Sequence, residues 1–267
     1  MADPKASWKR LRKGWGIQVR VIHALIIREL NTRYGRENIG FLWIMVEPLM
    51  FASLVALIWR YMRGPEEHGV GIVPFIITGY IPITLFRHAV SRSIMIFQVN
   101  SSLMYHRQIQ ILDFVFVRFL IEMLGGMMGF VFISTMLGLF GLFPMPQKPL
   151  MLIAGWMLYS VWTLSLCIVT APLSEMSEVL EKVLPVTTYI MIPFSGLFTL
   201  SAWLSPTFRQ YMLWSPFVNA MEMIRYGVWG DSIKVYYDVW NPIYCTMAAT
   251  AIGLPLCRYV RRIMPVE

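Results

Sequence analysis

Apolar residues along this chain fall into six runs long enough to cross a bilayer, at 39–59, 70–86, 119–143, 149–171, 183–204 and 241–260. About 20 consecutive apolar residues in a helix span a hydrocarbon core roughly 30 Å thick. Ahead of the runs, residues 15–34 repeat at helical spacing. Val19, Ile22, Ile26 and Leu30 share one face; Gln18, Arg28, Asn31 and Arg33 lie off it. This pattern predicts a helix lying in the inner membrane interface, the alternative being a helix packed on a soluble partner.

Three polar interruptions shape the rest. Residues 100–112 are too polar to span and too apolar to stand free in water. Asn100, Ser101 and Ser102 suit a helix start there, which predicts a short amphipathic cytoplasmic helix. A second short inside helix is expected over 174–181, capped by Ser174. Glu175 and Glu178 lie at its positive end, facing either a basic partner or solvent. The fifth run is interrupted by Pro193 and Gly196, and an aromatic-rich stretch broken by Pro206, Pro216 and Gly227 follows. Its 205–229 part reads as a re-entrant periplasmic helical hairpin, the alternative being two helices flat in the interface with an aromatic belt. The predicted fold is an all-α integral membrane domain, 1–267. It has six transmembrane helices, an N-terminal amphipathic interface helix, and the hairpin between spans five and six.

Composition agrees with the pattern. Residues are 57% hydrophobic and 14% charged, with a mean hydropathy of +0.58; soluble domains are nearer a quarter charged. The loops are too short to hold a separate catalytic domain. The net charge of +8 would suggest nucleic acid in a soluble chain. Here the positive-inside rule accounts for it, and no nucleic-acid partner is expected. With both termini cytoplasmic, 17 of the 23 Lys and Arg fall in inside segments. The outside ones are Arg60, Arg63, Lys148, Arg209, Arg225 and Lys234. Cys167, Cys245 and Cys257 all lie in or near spans, so neither a disulfide nor a thiolate metal site is expected. The basic start leads into an amphipathic segment rather than the apolar core of a secretory signal.

Candidate chemistry is sparse. No phosphate-binding G-x-x-x-x-G-K-[ST] loop, H-E-x-x-H or G-x-S-x-G is present. His23, His68, His88 and His106 fit no metal spacing. The carboxylates inside spans are Glu47, Glu122 and Glu222, few for a proton relay. Glu47, before Pro48, is either a proton site or, on the structural reading, a partner for an Arg or a cap on a broken helix. Gly125 and Gly129 make a small-xxx-small face. An enzyme of glycan assembly would need a clustered polar site, and a proton-coupled transporter would show inverted repeats. Neither is visible.

The element order and three motifs resemble the permease subunits of type 2 ABC exporters. Residues 26–49 are similar to an R-E-x-x-x-R-Y interface helix running into L-G-x-x-W and E-P. Arg28, Glu29, Arg33, Tyr34, Gly40, Trp43, Glu47 and Pro48 fill the pattern, and Phe41 departs from it. Residues 100–118 resemble the coupling helix and its trailing D-x-x-x-x-R, Asp113 and Arg118. From 193 onward, Ser195, Gly196, Pro206, Trp214, Pro216, Glu222 and Arg225 match an S-G…P…W-x-P…E-x-x-R stretch. The resemblance runs from about 15 to 262. It is nearest the branch exporting capsular polysaccharide, with O-antigen, teichoic acid or small hydrophobic substrates as alternatives.

The resemblance implies a pore-forming subunit of the bacterial inner membrane, without catalytic or cofactor-binding residues of its own. Two copies would stand above two ATPase subunits that hold ATP and Mg. A periplasmic co-polymerase and outer-membrane export proteins would complete the route. The ATPase would push on Asn100, Ser101, Ser102, Leu103, Met104, Tyr105, His106 and Arg107, and on Glu175 and Glu178. A lipid-linked acidic glycan would pass Trp43, Tyr80, Phe86, Arg87, Arg92, Tyr189, Phe194 and Trp203. Aromatic faces stack on sugars without demanding one sequence of them, and arginines attract an acidic linker. Glu222 and Arg225, spaced i, i+3, would pair and brace the outer gate.

Overall fold

The computed structural model describes residues 4–34, 40–104 and 108–263. Its elements are α1 (Pro4–Tyr34), α2 (Gly40–Arg63), β1 (Glu66–Glu67), β2 (Val70–Gly71), α3 (Ile72–Ser93), α4 (Ile96–Val99), α5 (Ile111–Leu139), α6 (Pro149–Met176), α7 (Glu178–Ile190), α8 (Pro206–Met212), α9 (Pro216–Trp229) and α10 (Trp240–Ile263). Short 3-10 turns lie at Ser101–Leu103, Pro193–Ser195, Ser201–Trp203 and Gly230–Ser232. Among the described residues, α3, α5, α6 and α10 are long and apolar enough to cross a membrane. Within α2, Met50–Met62 is a shorter apolar helix.

Local chemistry sets the boundaries. Proline opens α6, α8 and α9, where its missing N–H is no loss and its fixed φ suits the helix. A capping box opens α5. Gln110 receives an N–H from the first turn, and Asp113 Oδ2 accepts the Gln110 N–H at 2.7 Å. The strands β1 and β2 pair antiparallel around His68 and Gly69, whose φ of 54° and 77° give the two-residue hairpin turn its left-handed corner.

Helix α3 is the axis of the bundle. It is the most buried candidate span and touches α2, α5, α6, α7 and α9, while α6 lies between α9 and α10. The tightest crossing joins α6 and α9. A Cβ on Gly155 would stand 2.7 Å from the Ile224 nitrogen, and one on Gly227 would stand 2.5 Å from the Leu152 Cα. Gly129 of the expected Gly125/Gly129 face has nothing within 4 Å of its Cβ position. Close approach is therefore made by α6 and α9 rather than at Gly129.

Two expectations change. Residues 100–112 are not one helix. A 3-10 turn at Ser101–Leu103 follows α4, Tyr105, His106 and Arg107 lie outside the described residues, and α5 begins at Ile111. Met95, at φ 53°, breaks the chain before α4, and its N–H is taken by Ser174 Oγ at 3.1 Å. No separate helix starts at Ser174 either. Helix α6 continues through it to Met176, and one extended residue, Ser177, divides α6 from α7. Helix α3 runs past Phe86 to Ser93 and carries Arg87, His88 and Arg92. The fifth apolar run breaks where Pro193 and Gly196 interrupt it: it is helical to Ile190, and beyond come Pro193, Gly196 at φ 80° and an irregular segment to Leu204.

Candidate functional site

A cavity of about 730 Å³ opens between α2, α3, α7 and the irregular segment after α7. Met50, Phe51 and Leu54 supply one wall, Tyr80, Thr84 and Arg87 the second, Tyr189 the third, and Leu197 with Phe198 close it. Phe51 stacks on Tyr80 with ring centroids 5.1 Å apart. The Arg87 guanidinium carbon sits 4.0 Å above the Tyr189 ring, and its buried Nε has no hydrogen-bond partner among the described residues. The site thus holds one cation against an aromatic face inside an apolar hollow, where such contacts gain strength from desolvation.

Of the eight expected path residues, Tyr80, Arg87 and Tyr189 come together here. Phe86 is buried edge-on against Phe217 at 4.6 Å. Arg92 is turned to Glu122, Nε to Oε1 at 3.2 Å, with His88 Nδ1 3.7 Å from the other oxygen. Trp203 lies between Phe75, at 4.9 Å, and His68, at 5.1 Å. Phe194 is exposed away from the cavity, and the Trp43 side chain lies outside the described residues. Sequence reasoning missed Phe51 and Phe198. Phe51 shares a helical stripe with Leu54 and Val55, a signal available in the spacing. Phe198 has no periodic neighbour to betray it.

The segment 196–204 owes its shape to α9. Arg225 is fully buried. Its Nη1 donates to the carbonyls of Gly196 at 2.8 Å and Thr199 at 3.0 Å, and its Nη2 donates to Leu197 at 2.8 Å. The guanidinium carbon lies 3.9 Å over the Phe75 ring. Glu222 accepts the Ser201 N–H at 2.9 Å and its hydroxyl at 2.8 Å. The expected Glu222–Arg225 pair is therefore replaced by two grips on the same loop. Gly79 of α3 makes room for them, since a Cβ there would meet Leu197 Cδ1 at 2.7 Å and Arg225 Nη2 at 3.0 Å. Arg209 of α8 adds bonds to the Ser201 and Leu204 carbonyls at 2.9 and 3.1 Å.

At the opposite end, the 95–104 segment is held from two sides. Glu175 Oε1 accepts the N–H groups of Phe97 and Gln98 at 3.0 and 3.1 Å, so this acid caps α4 instead of pointing outward. Asn100 is buried. It donates to the Ile96 carbonyl at 2.8 Å and accepts from Arg28 Nη1 at 2.9 Å, so its side chain does not cap the 3-10 turn that follows. Ser101 and Ser102 are exposed, Leu103 and Met104 half-buried, and Glu178 exposed. Helix α1 reaches further inward: Glu29 pairs with Arg118 at 3.0 Å, and Gln18 donates to Asp113. Among the described residues, no His, Cys, Asp and Glu gather into a metal-binding group.

Outside the bundle, Lys148 bonds both Asp231 oxygens, at 2.7 and 2.8 Å, and also Tyr226, tying the α5–α6 loop to the end of α9. The Asp231 carboxyl is held below its ordinary range by these donors, and Lys148 is held above its own by Asp231. Lys234, then Arg209, pull the Tyr236 phenol downward.

Comparison with known proteins decides the family. No family model matches the chain. The capsule polysaccharide export inner-membrane protein CtrC of Neisseria meningitidis is 34% identical over 250 residues, 93% of this chain and 94% of that one. The chain belongs to the capsule polysaccharide export inner-membrane family. That family is the capsular branch of the type 2 ABC exporter permeases. BexB of Haemophilus influenzae, another capsule polysaccharide export inner-membrane protein, is 30% identical over 247 residues, covering 92% and 93% of the two chains. The polysialic acid transport protein KpsM of Escherichia coli is 23% identical over 254 residues, 92% and 96%. In this export-family member, the inner membrane is thus the location, in keeping with its apolar helices.

Proposed function

We propose that this chain is the membrane subunit of an ATP-driven exporter moving a lipid-linked acidic capsular polysaccharide across the inner membrane. The match over 93% of the chain to a capsule polysaccharide export inner-membrane protein carries this reading. The aromatic cavity with Arg87 supports it. A polymer in transit cannot be held tightly at any one point, and an aromatic wall with a single cation suits weak, repeated contact with acidic sugars.

In this reading the chain crosses six times. The crossings are α2, α3, α5, α6, α7 with its irregular continuation, and α10, with both termini cytoplasmic and α1 lying in the inner interface. The α8–α9 hairpin dips into the outer leaflet as the gate. Two copies face each other across their cavities. Two separate ATPase chains bind ATP and Mg beneath and push on 100–107 and on the Glu178 end of α7. Periplasmic and outer-membrane proteins receive the polymer.

The reading is tested by replacing the chain with an Arg87→Ala or Tyr189→Ala variant in its host. Both side chains are partly exposed in the cavity, so the protein should still reach the membrane. The expected result is less surface polysaccharide, with polymer accumulating inside. Full surface polysaccharide after deletion of the whole chain would overturn the function.

A further inference from the structure

A second cavity, of about 430 Å³, runs along the opposite side of α2. Ala52, Ser53, Ala56, Leu57 and Arg60 line it from α2, and Phe132 and Met136 face them from α5. From Ala52 to Arg60 the helix rises about 12 Å, so the hollow is a groove two turns long. Its floor is low because Ala52 and Ala56 are small and buried against their neighbours. Its one hydroxyl is internally bonded: Ser53 Oγ donates to the Met50 carbonyl at 2.9 Å. The sole charged lining residue, Arg60, stands at the end nearest the β-hairpin. Among the described residues, the Arg60 guanidinium has no hydrogen-bond or ion-pair partner.

A long apolar slot ending in one unpaired guanidinium fits a molecule with an acyl chain and an anionic head. Guanidinium forks match phosphate oxygens two at a time, and an arginine near a helix end extends toward the headgroup layer. We propose that this groove is a site for an anionic phospholipid of the surrounding bilayer, its acyl chain along Ala52 and Ala56 and its phosphate on Arg60. The neighbouring groove of about 470 Å³ between α5 and α6 is lined by no charged residue. It makes the internal comparison: acyl chains can lie there, but nothing selects the head. The proposal does not depend on the exported cargo.

The test uses the purified full-length protein in detergent, with phosphatidylglycerol or phosphatidylcholine of identical acyl chains added and retained lipid read by native mass spectrometry. The unaltered protein should retain about fivefold more phosphatidylglycerol, the weight of one arginine at an anionic surface. Arg60→Gln, at an exposed position, should erase that preference. Leu57→Trp, which fills the groove from an exposed position, should lower retention of both lipids. Equal retention of the two lipids by the unaltered protein would overturn the site. So would an undiminished preference in Arg60→Gln, or a disulfide between two copies carrying cysteine at 57 and 136, which would assign the groove to a second chain.

Discussion

Glu222 and Arg225, one helical turn apart on α9, grip two points of one irregular segment rather than each other. Arg225 holds the carbonyls of Gly196, Leu197 and Thr199, and Glu222 holds the N–H and hydroxyl of Ser201. A non-helical backbone deep in a membrane protein must have its polar groups satisfied from within. Here two opposite charges supply acceptor and donors together, and each offsets the other's burial. Arg225→Ala would leave four groups wanting: three carbonyls and an uncompensated Glu222. Losing one member of a buried charged pair costs about 3–5 kcal/mol. The expected outcome is a large drop in the melting temperature of the purified protein, with Arg225→Lys recovering only part of it, because an ammonium cannot fork across three carbonyls. An unchanged melting temperature in Arg225→Ala would rule this bracing out.

The α6–α9 crossing gives a sharper contrast. Gly227→Ala forces a methyl group into the Leu152 backbone, and overfilling a packed site costs about 1–3 kcal/mol. Gly129→Ala meets open space and gains helix propensity of up to about 1 kcal/mol. Thermal unfolding should fall for the first and hold or rise for the second. The reverse order would show that the tight crossing lies at α5.

Glu29 and Arg118 join α1 to α5, while Arg118 Nη1 also donates to the Arg92 carbonyl at 2.8 Å. Arg92 in turn meets Glu122, which lies near His88 at the cavity edge. A double-mutant cycle on Glu29→Gln and Arg118→Gln should show coupling of about 0.5–3 kcal/mol, as for contacting residues in one network. Strict additivity of the two melting shifts would mean α1 is not anchored through this pair.

The Lys148–Asp231 staple predicts a pH profile. Asp231 titrates below 3.8, so its contribution is complete above 3.8 and disappears as pH falls through the lowered value. Lys148 titrates above 10.5, so its contribution is complete below 10.5 and disappears as pH rises through the raised value. The melting difference between unaltered protein and Lys148→Met should therefore stay flat between these limits and shrink at strong acid. A difference that changes near neutral pH would assign the effect to another group.

Much of the arrangement was legible in the chain itself. The four apolar helices long enough to span, the breaks at Pro193, Gly196, Pro206 and Pro216, and the Glu222/Arg225 motif all come from local pattern, because burying apolar surface and capping backbone groups act over a few residues. Family membership was legible for the same reason: its motifs are contiguous. Phe86 and Trp203 look as suitable for a conduit as Tyr80 and Tyr189. Only packing sets the first two apart, Phe86 against Phe217 and Trp203 against Phe75, and leaves the second two lining a cavity. Glu175 and Asn100 read as outward helix-start residues until the fold brings α6 and Arg28 to the 95–104 segment, where unmet backbone N–H groups claim Glu175 and the Arg28 guanidinium claims Asn100. Sequence decides which groups must be buried or satisfied. Tertiary structure decides which partner satisfies them, since partners such as Ser201 for Glu222 and Asp113 for Gln18 lie 21 and 95 residues away along the chain.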